Sequence, residues 1–580
     1  MSKLRDRLER SLVENHETKW YLPEPRLNAI LDEKTISDVI KSKIMPQYQD
    51  EVRKAVLAGG KKIFAILIMI GKEQDIVRFI QNDHMQDQPL DAKLPFNKDN
   101  LVHILGETNG NLFHRKQWSV LAPRIRGDAS HRDFDLGTIL PITENKKIGS
   151  GGFSTVYEIK LNPEHHGDPL SLLLPVVIPR QSPHLYVVYK THILQDLTLI
   201  RKKLDHPSGK RDMESLASEI HILSQLRLVK HPSIVRLITS YVYRGTYNLI
   251  FERAECDLEA LLRSPSRTVA LATDDSFYQA LQGLCSAVAS FHHVTSVEYG
   301  LELKGYHHDL KPQNILVHGT RFLLSDFGLS SLKSMSANSK TLSRDVQGFY
   351  IPPESGVIYD GFERKKVGQP SDIWALGCIL AVVVTYMVKG SEGVAQFEQK
   401  RKHTLYTWTT YTFHHAGEKN PAVYEWLEEI GINSTPEARG LISLVRDILQ
   451  LDPNQRPSAK DISSRMDFIA AKSRFGVLSI KFAELEKKAK DSVVSDGFKR
   501  FTLFGEAIGF NKNNLAWTDL PLTAKQGNTY DLLQGHLIGL ETYLDYDMKA
   551  VRSSTLPRGV RDGIHESLDS LDSLLSGTRK

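Results

Sequence analysis

The chain has 580 residues, which is long enough for several domains of ordinary size. Its content of 41% hydrophobic and 25% charged residues is that of an ordinary globular protein and argues against a disordered or fibrous chain. A formal net charge of +5 is too small to predict nucleic acid as a partner. The three cysteines lie far apart and match no metal-ligand spacing, which favours a reducing intracellular compartment, cytoplasmic or nuclear.

The N-terminal part, residues 1–130, has apolar residues at helical spacing and is predicted to be a mainly helical domain. Its longest apolar run, Ile63–Ile70, and a later one, Ile379–Val388, are both far shorter than the roughly 20 residues of a bilayer-spanning helix. We therefore expect buried core here and no membrane span. The sequence assigns no chemistry to this part, and it leaves open whether the part docks on the domain that follows it, binds a regulatory partner or folds independently.

The pattern changes near residue 134, where short β-rich runs such as STVYEIKL and YNLIF begin. Beyond about residue 257 helical patterns dominate. A small β-rich unit followed by a larger helical unit predicts an α+β, two-lobed layout. The C-terminal extension, residues 475–580, is predicted to be partly helical with a Ser- and Asp-rich tail.

The first chemical motif is the glycine-rich stretch IGSGGFSTVY at residues 148–157. Glycines let a backbone approach a polyphosphate closely, and successive N–H groups can bind its oxygens, although a plain hairpin turn fits equally well. Downstream, Lys190 closes the apolar run YVVYK and Glu219 lies in a helical pattern. Each of these two charges alone is typical of a solvated surface.

Two further motifs bring together the groups that phosphoryl transfer needs. HHDLKPQN at residues 307–314 contains Asp309, Lys311 and Asn314, and SDFG at residues 325–328 adds Asp326. One carboxylate can accept the proton of an attacking hydroxyl, and a lysine can offset charge on the moving phosphoryl group. An amide and a second carboxylate can hold Mg²⁺ against the phosphates.

These motifs, in this order, resemble those of a eukaryotic protein kinase domain over about residues 140–468. The resemblance implies a two-lobed protein-kinase fold at residues 134–470, with a small β-rich N-lobe at about 134–254 and a larger helical C-lobe at about 255–470. It implies an ATP-dependent serine/threonine protein kinase that uses Mg²⁺ and acts on a protein substrate. The alternatives are a catalytically weak or inactive pseudokinase that acts as a scaffold and a small-molecule kinase.

The resemblance also assigns roles to individual residues. Asp309 would orient and deprotonate the substrate hydroxyl, and Lys311 would neutralise the γ-phosphoryl group. Lys190 would pair with the nucleotide phosphates and with Glu219. The metal ligands would be Asn314 and Asp326. The remaining nucleotide contacts implied are Ile148, Gly149, Ser150, Gly151, Gly152, Val156, Glu252, Ala254 and Asp257.

Two departures from the family pattern affect regulation and substrate choice. His308 stands where the family usually has an arginine that receives a phosphate of the activation loop, so we expect activity without that phosphate. Gln347 stands where serine/threonine kinases usually have a threonine, so substrate choice is expected to be unusual. The pair Glu354 and Arg456 matches a structural ion pair of the family.

Overall fold

The computed structural model describes most of the chain. The described residues are 2–81, 88–127, 131–150, 154–165, 197–204, 219–226, 230–296, 298, 300–334, 341–342, 348–355, 366–405, 408–415, 417–489, 492–507, 510–511, 516–517, 537, 540, 563–564 and 566–571. The chain divides into two compact units. Unit 1 comprises Met1–Lys210 and Arg236–Arg253, and unit 2 comprises Arg211–Val235 and Ala254–Lys580.

Unit 1 begins with short helices around one apolar core. Their bounds are α1 Ser2–Arg10, α2 Glu24–Ile30, α3 Glu33–Lys43, α4 Gln49–Leu57, α5 Lys61–Ile70, α6 Ile76–Ile80, α7 Lys98–Leu105 and α8 Glu107–Lys116. Side-chain caps start two of these helices: Asp32 accepts a hydrogen bond from the Thr35 N–H at the start of α3, and Asn97 accepts one from the Asn100 N–H at the start of α7. Helix α5 is apolar on nearly every face because it forms the centre of this core. Gly71 ends α5 at φ +69°, a left-handed conformation that favours glycine.

A six-stranded sheet completes unit 1. Its strands are β3 His131–Phe134, β4 Ile142–Ser150, β5 Ser154–Leu161, β6 Leu197–Leu204, β7 Leu237–Tyr243 and β8 Thr246–Glu252, in the order β3-β7-β8-β6-β5-β4. Strand β3 runs parallel to β7, and the other pairs are antiparallel. Leu197 and Leu199 of β6 pack into the apolar core on one face of the sheet. Because side chains alternate along a strand, Ile200 and Lys202 lie on the opposite face.

The first residues of the chain are joined to this sheet by hydrogen bonds. A small hairpin of β1 (Val13–Glu14) and β2 (Trp20–Tyr21) carries them. The backbone N–H of His16 donates to the Ile142 carbonyl over 2.9 Å, and the amide of the buried Asn15 donates to the Leu140 carbonyl over 3.1 Å. The N-terminal helices and the sheet are therefore parts of one compact unit.

Unit 2 is mainly helical. Its helices are α9 at residues 219–226, α10 Leu258–Arg263, α11 Asp274–His292, α12 Gln369–Lys400, α13 Pro421–Gly431, α14 Pro436–Ile448, α15 Ala459–Ala489 and α16 Ser492–Ala507. Small antiparallel sheets accompany them. Their strands are β9 Cys256–Asp257, β10 Val294–Ser296, β11 Leu301–Tyr306, β12 Ile315–His318, β13 Arg321–Leu324, β14 Ser331–Ser334, β15 Thr341–Leu342, β16 Lys366–Val367, β17 His403–Leu405, β18 Trp408–Thr410, β19 His414–His415, β20 Glu418–Lys419, β21 Phe510–Asn511 and β22 Ala516–Trp517.

Helix α12 forms the centre of unit 2. Among the described residues it is the one helix long and apolar enough to cross a membrane, yet 94% of its most apolar window is buried within the protein. Its apolar length is therefore explained by packing against other helices. Gly390, at φ +68°, interrupts the helix and turns its last residues. A sheet-bearing unit and a mainly helical unit confirm the predicted α+β class.

Candidate active site

In the loop between β11 and β12, two polar side chains bind one carboxylate. The Oδ2 atom of Asp309 accepts hydrogen bonds from Lys311 Nζ over 2.7 Å and from Asn314 Nδ2 over 2.8 Å. The Asn314 amide also donates to the Asp309 carbonyl over 2.7 Å, which closes the loop on itself. A short 3-10 turn, Pro312–Asn314, brings the amide back over the carboxylate. The sequence prediction that these three residues form one cluster agrees with this geometry.

The backbone of this loop is held from below by Asp372 of α12. Its Oδ1 accepts the His308 N–H and its Oδ2 accepts the His307 N–H, both over 2.8 Å. The imidazole of His292 donates to Oδ2 over 3.0 Å. Burial alone would raise the pKa of Asp372, but the hydrogen bond from His292 and the surrounding imidazoles lower it to about 2. The carboxylate therefore remains ionised and accepts all three bonds at neutral pH.

Two residues at the site have left-handed backbone conformations that side chains other than glycine rarely adopt. His308 has φ +66° and Asp326 has φ +58°. Such conformations cost of order 1–3 kcal/mol and persist only where neighbouring contacts hold them. Asp372 supplies that contact for His308. Strain of this kind concentrates at functional sites, which agrees with the positions of the two predicted motifs.

The second predicted motif lies beside the first. The carbonyl of Asn314 accepts hydrogen bonds from both the backbone N–H and the hydroxyl of Ser325, over 3.0 and 2.8 Å. A Cβ built on Gly328 would lie 3.4 Å from Asp326 Oδ1 and 3.6 Å from Glu219 Oε2. Both carboxylates therefore flank Gly328, and unit 2 brings Glu219 of α9 to the Asp326 motif.

An aromatic cluster packs beneath the two loops. The ring of Phe327 lies 5.1 Å from that of Phe291 and 5.2 Å from that of His307. His307 also donates to the Ser325 carbonyl over 3.0 Å, and burial lowers the pKa of its imidazole. A buried His307 with a lowered pKa acts in packing and not in proton transfer.

The donor set suits a divalent metal that is shared with phosphates. Asn314 uses its amide nitrogen for Asp309, which leaves its Oδ1 for a cation, and Asp326 offers a carboxylate. In the part of the chain that the structure describes, no three His, Cys, Asp or Glu side chains form a complete metal site. Mg²⁺ is commonly bound by one or two protein oxygens together with substrate phosphates and water, so these two residues fit it.

In unit 1 the predicted nucleotide residues that the structure describes lie on strands β4, β5 and β8 of the sheet. Ile148, Gly149 and Ser150 end strand β4, and Gly149 is paired with Val156 of β5. Glu252 is the last residue of β8. Gly151, Gly152 and Lys190 lie outside the described residues, as does Gln347.

Two predicted nucleotide residues belong to unit 2. Ala254 follows directly on the last residue of unit 1. Asp257 caps helix α10, because its Oδ1 accepts the Ala260 N–H over 2.8 Å. This bond gives Asp257 a structural role in the helix in addition to the nucleotide contact predicted for it.

The strand pairing of the sheet identifies a second candidate lysine, one that the sequence did not predict. Lys202 of β6 is paired directly with Val156 of β5 and with Leu249 of β8. Two residues before Lys202, Ile200 is paired with Phe251. Directly paired residues share a face, so Lys202 lies on the face that carries Val156 and Phe251. Its alternation within LTLIRKKL was the available signal, but the YVVYK run ending at Lys190 resembles the family motif more closely.

An ion pair secures the helical unit next to the site. The guanidinium of Arg456 binds both oxygens of Glu354, over 2.8 and 2.7 Å, and its side chain is fully buried. Arg456 also donates to the carbonyls of Pro370 and Leu451. A buried charge is costly unless it is paired and hydrogen-bonded, and this pair meets both conditions.

Comparison with known proteins supports the resemblance to a protein kinase domain. The model of the protein kinase domain family matches residues 186–468. Cyclin-dependent kinase D-1 of Oryza sativa subsp. japonica is 32% identical over 183 residues, which cover 31% of this chain and 38% of the relative. Cyclin-dependent kinase 7 of Xenopus laevis is 31% identical over 184 residues, 31% of this chain and 46% of the relative.

A third relative extends the comparison over more of the chain. A probable serine/threonine-protein kinase of Dictyostelium discoideum is 25% identical over 286 residues, 47% of this chain and 51% of the relative. The chain thus spans only about two fifths to one half of the length of these curated relatives. Together with the geometry of the two loops, the matches show that the chain carries a eukaryotic protein kinase domain.

Replacing Asp372 with asparagine should destabilise the protein strongly. An amide can accept on one side only, so its nitrogen would face a backbone N–H of the loop. We expect a loss of about 2–4 kcal/mol in the free energy of unfolding, measured by urea denaturation. Asp447→Asn is the matched control: its carboxylate pairs at the surface with Arg465, and we expect a loss below about 1 kcal/mol. Equal losses in both variants would contradict the role given to Asp372.

Proposed function

We propose that the protein is an active, ATP-dependent serine/threonine protein kinase that transfers the γ-phosphoryl group of ATP to hydroxyl groups of a protein substrate. The observation that carries the proposal is the joint hydrogen bonding of Asp309 Oδ2 by Lys311 and Asn314. These bonds hold the carboxylate, a cation and an amide in one cluster. Phosphoryl transfer depends mainly on such positioning and on stabilisation of charge.

Asp309 serves as the group that orients the attacking hydroxyl. Its Oδ2 accepts the two hydrogen bonds, whereas Oδ1 accepts none from the described residues, so Oδ1 is the oxygen that would take the hydroxyl proton. The side chain is 13% exposed, which leaves it reachable from one side. Lys311 Nζ, bound 2.7 Å from Oδ2, supplies a positive charge for the oxygens of the moving phosphoryl group.

Asn314 and Asp326 are the residues that would hold Mg²⁺ together with the phosphates of ATP. When bound, the metal neutralises charge that develops on the phosphate oxygens. The chain's own contribution is to fix Asn314, through its bond to Asp309 and through the bond from Ser325, the residue before Asp326, to the Asn314 carbonyl. A ligand that is held in place before binding loses less conformational freedom when the metal–nucleotide complex binds.

For the lysine that pairs with the nucleotide phosphates, we propose Lys202 in place of Lys190. The strand register supports this choice, because Lys202 is paired with Val156, the residue expected to contact adenine. A lysine in the middle of a six-stranded sheet has a fixed position, which a phosphate contact requires.

Substrate class and location are proposed on separate grounds. Lys311, two residues after Asp309, and the probable serine/threonine kinase among the relatives support serine and threonine over tyrosine. The three cysteines are free thiols in the structure, which supports an intracellular location in the cytoplasm or nucleus. The scaffold alternative is not favoured, since each residue class that catalysis needs is present in the chain.

Two variants of the full-length chain test the assignment of the phosphate-binding lysine. Lys202→Met should lower phosphate transfer from Mg-ATP by about 10²-fold or more, since the charge on the phosphates would lose its partner. Lys190→Met, the matched control, should stay within about twofold of the wild type. The measurement is incorporation of radiolabelled phosphate into dephosphorylated casein. A large loss in Lys190→Met with an active Lys202→Met would restore the first assignment, and a wild type without transfer to any protein would refute kinase activity.

Activity should not depend on phosphate in the activation loop. The side chain of His308 is buried, and its ring stacks 5.8 Å from that of Tyr306. Unlike the arginine usual at this position, it has no long charged side chain that could reach a phosphate. The segment that follows Asp326 is held instead by backbone pairing, because β14 pairs with β11 over four residues. We expect phosphatase-treated enzyme to keep its rate within about twofold. Mass spectrometry would confirm dephosphorylation, and a lost rate that returns after rephosphorylation would contradict the expectation.

A further inference from the structure

A buried arginine lies on the face of the six-stranded sheet that packs into the apolar core. Arg201 of β6 is 8% exposed, and Leu197 and Leu199 of the same strand belong to that core. Because side chains alternate along a strand, Arg201 points to the core face and Lys202 to the opposite face. A guanidinium stays charged at neutral pH, so its burial is costly unless neighbouring groups compensate it.

The guanidinium of Arg201 reaches across one strand to bind the next. Its Nη2 donates to Asn145 Oδ1 of β4 over 3.1 Å, and its Cζ lies 4.6 Å from the centre of the Tyr157 ring of β5. In the order of the sheet, β5 lies between β6 and β4. One side chain therefore joins three neighbouring strands, by a cation–π contact with the middle strand and a hydrogen bond to the outer one.

The groups that compensate this buried charge are neutral. Among the described residues no carboxylate forms an ion pair with Arg201, and its Nε has no hydrogen-bond partner there. An apolar side chain of similar volume is often at least as stabilising as a buried charge. Stability alone therefore does not explain an arginine at this position, whereas a link across three strands does.

The N-terminal turn at residues 15–19 lies beside this arginine. The backbone N–H and the imidazole Nδ1 of His16 both donate to the Ile142 carbonyl at the start of β4, over 2.9 and 3.1 Å. Burial lowers the pKa of His16, and the nearby charge of Arg201 also opposes its protonation. The turn thus adds a neutral imidazole, and no second positive charge, next to the guanidinium.

The pair that Arg201 forms with Tyr157 lies directly behind a pair predicted to contact the nucleotide. Lys202 follows Arg201 on β6, and Val156 precedes Tyr157 on β5. Lys202 is paired with Val156, and Arg201 is paired with Tyr157. Successive residues of a strand point to opposite faces, so the two pairs lie back to back. A contact that holds the pair on the core face therefore also holds the pair on the nucleotide face.

Strand β4 depends most on such a link. Within the described sheet it lies at the edge and pairs with β5 alone. Its register with β5 is irregular between Lys147 and Gly149, where the predicted glycine-rich stretch begins. Asn145, which Arg201 binds, lies just before this irregularity. The bond fixes the edge strand at the point where regular pairing with its neighbour is interrupted.

We propose that Arg201 is a positioning residue for nucleotide binding: from the core face of the sheet it joins β4 and β5 to β6 and so fixes the glycine-rich stretch relative to Lys202. This inference rests on the proposed function, because it takes these residues to contact ATP. A purely structural role predicts that nucleotide affinity follows stability from variant to variant. A positioning role predicts weaker nucleotide binding even in a variant that is as stable as the wild type.

The test compares four variants of the full-length protein. Arg201→Met removes the charge and the hydrogen bond but keeps an apolar side chain, and Asn145→Leu removes the acceptor without touching Arg201. Arg201→Lys keeps the charge but not the planar fork. Lys160→Met is the matched control, because Lys160 also joins β5 to β4, through a 2.8 Å pair with Glu144 at the surface.

Four quantities are measured for each variant. They are the affinity for the fluorescent nucleotide N-methylanthraniloyl-ATP with Mg²⁺, the KM for dephosphorylated casein, the midpoint of urea unfolding and the hydrogen exchange of residues 142–150. Nucleotide binding and hydrogen exchange need no turnover, so they can be read whether or not casein is a good substrate.

Arg201→Met and Asn145→Leu should each weaken nucleotide binding roughly tenfold, the size of one lost hydrogen bond to a charged group, and speed exchange in residues 142–150. The casein KM should not change. The urea midpoint should stay the same in Arg201→Met, because methionine buries well, and fall in Asn145→Leu, which leaves the guanidinium without its acceptor. Arg201→Lys should lose less affinity, and Lys160→Met should match the wild type.

Three results would overturn the proposal. The first is wild-type nucleotide affinity in Arg201→Met, the second is unchanged exchange of residues 142–150 in that variant, and the third is an affinity that follows the urea midpoint across all variants. Each of these leaves the proposed function intact if the wild type binds the nucleotide. A wild type that binds no nucleotide would instead refute the proposed function, and this inference with it.

Discussion

One buried carboxylate, Asp372, determines where the loop that carries Asp309 lies. Three donors converge on it: the backbone N–H groups of His307 and His308 and the imidazole of His292. It stands near the start of α12, whose most apolar part is buried within the protein. The free energy that packs this helix therefore also holds the left-handed backbone at His308, and the next residue along the chain is Asp309.

Hydrogen bonds connect the polar groups of the site to this loop and to one another. The Asp309 carboxylate accepts hydrogen bonds from Lys311 and Asn314. The Asn314 carbonyl accepts a hydrogen bond from Ser325, the residue before Asp326. These bonds join the groups that would contact substrate or metal to one another and to the backbone of the loop. The loop is thus arranged before any ligand binds, and preorganisation of this kind is the main means by which phosphoryl transfer is accelerated. The strand pairing of β11 with β14 supports the same arrangement from the side of the segment after Asp326.

The sequence predicted the parts of this site that lie within short motifs. Asp309, Lys311 and Asn314 are within six positions, so local geometry alone brings them together, and the two-lobed α+β class followed from the change in periodicity. The phosphate lysine was harder, because a strand position is defined by its register with neighbouring strands and not by a local pattern. Lys202 became a candidate only once its pairing with Val156 was known. The contact between the rings of Tyr411 and Phe349 could not be predicted, because these two residues lie far apart in the sequence.

The central claim is that Asp309 acts on the substrate hydroxyl from within this preorganised loop. Single-turnover transfer of labelled phosphate from Mg-ATP to casein, in wild type and in Asp309→Asn, tests it most directly. An asparagine keeps the shape of the side chain but cannot take a proton, so a loss of about 10²–10⁴ in the rate of transfer is expected, with nucleotide affinity unchanged. An Asp309→Asn variant that transfers phosphate as fast as the wild type would contradict the account.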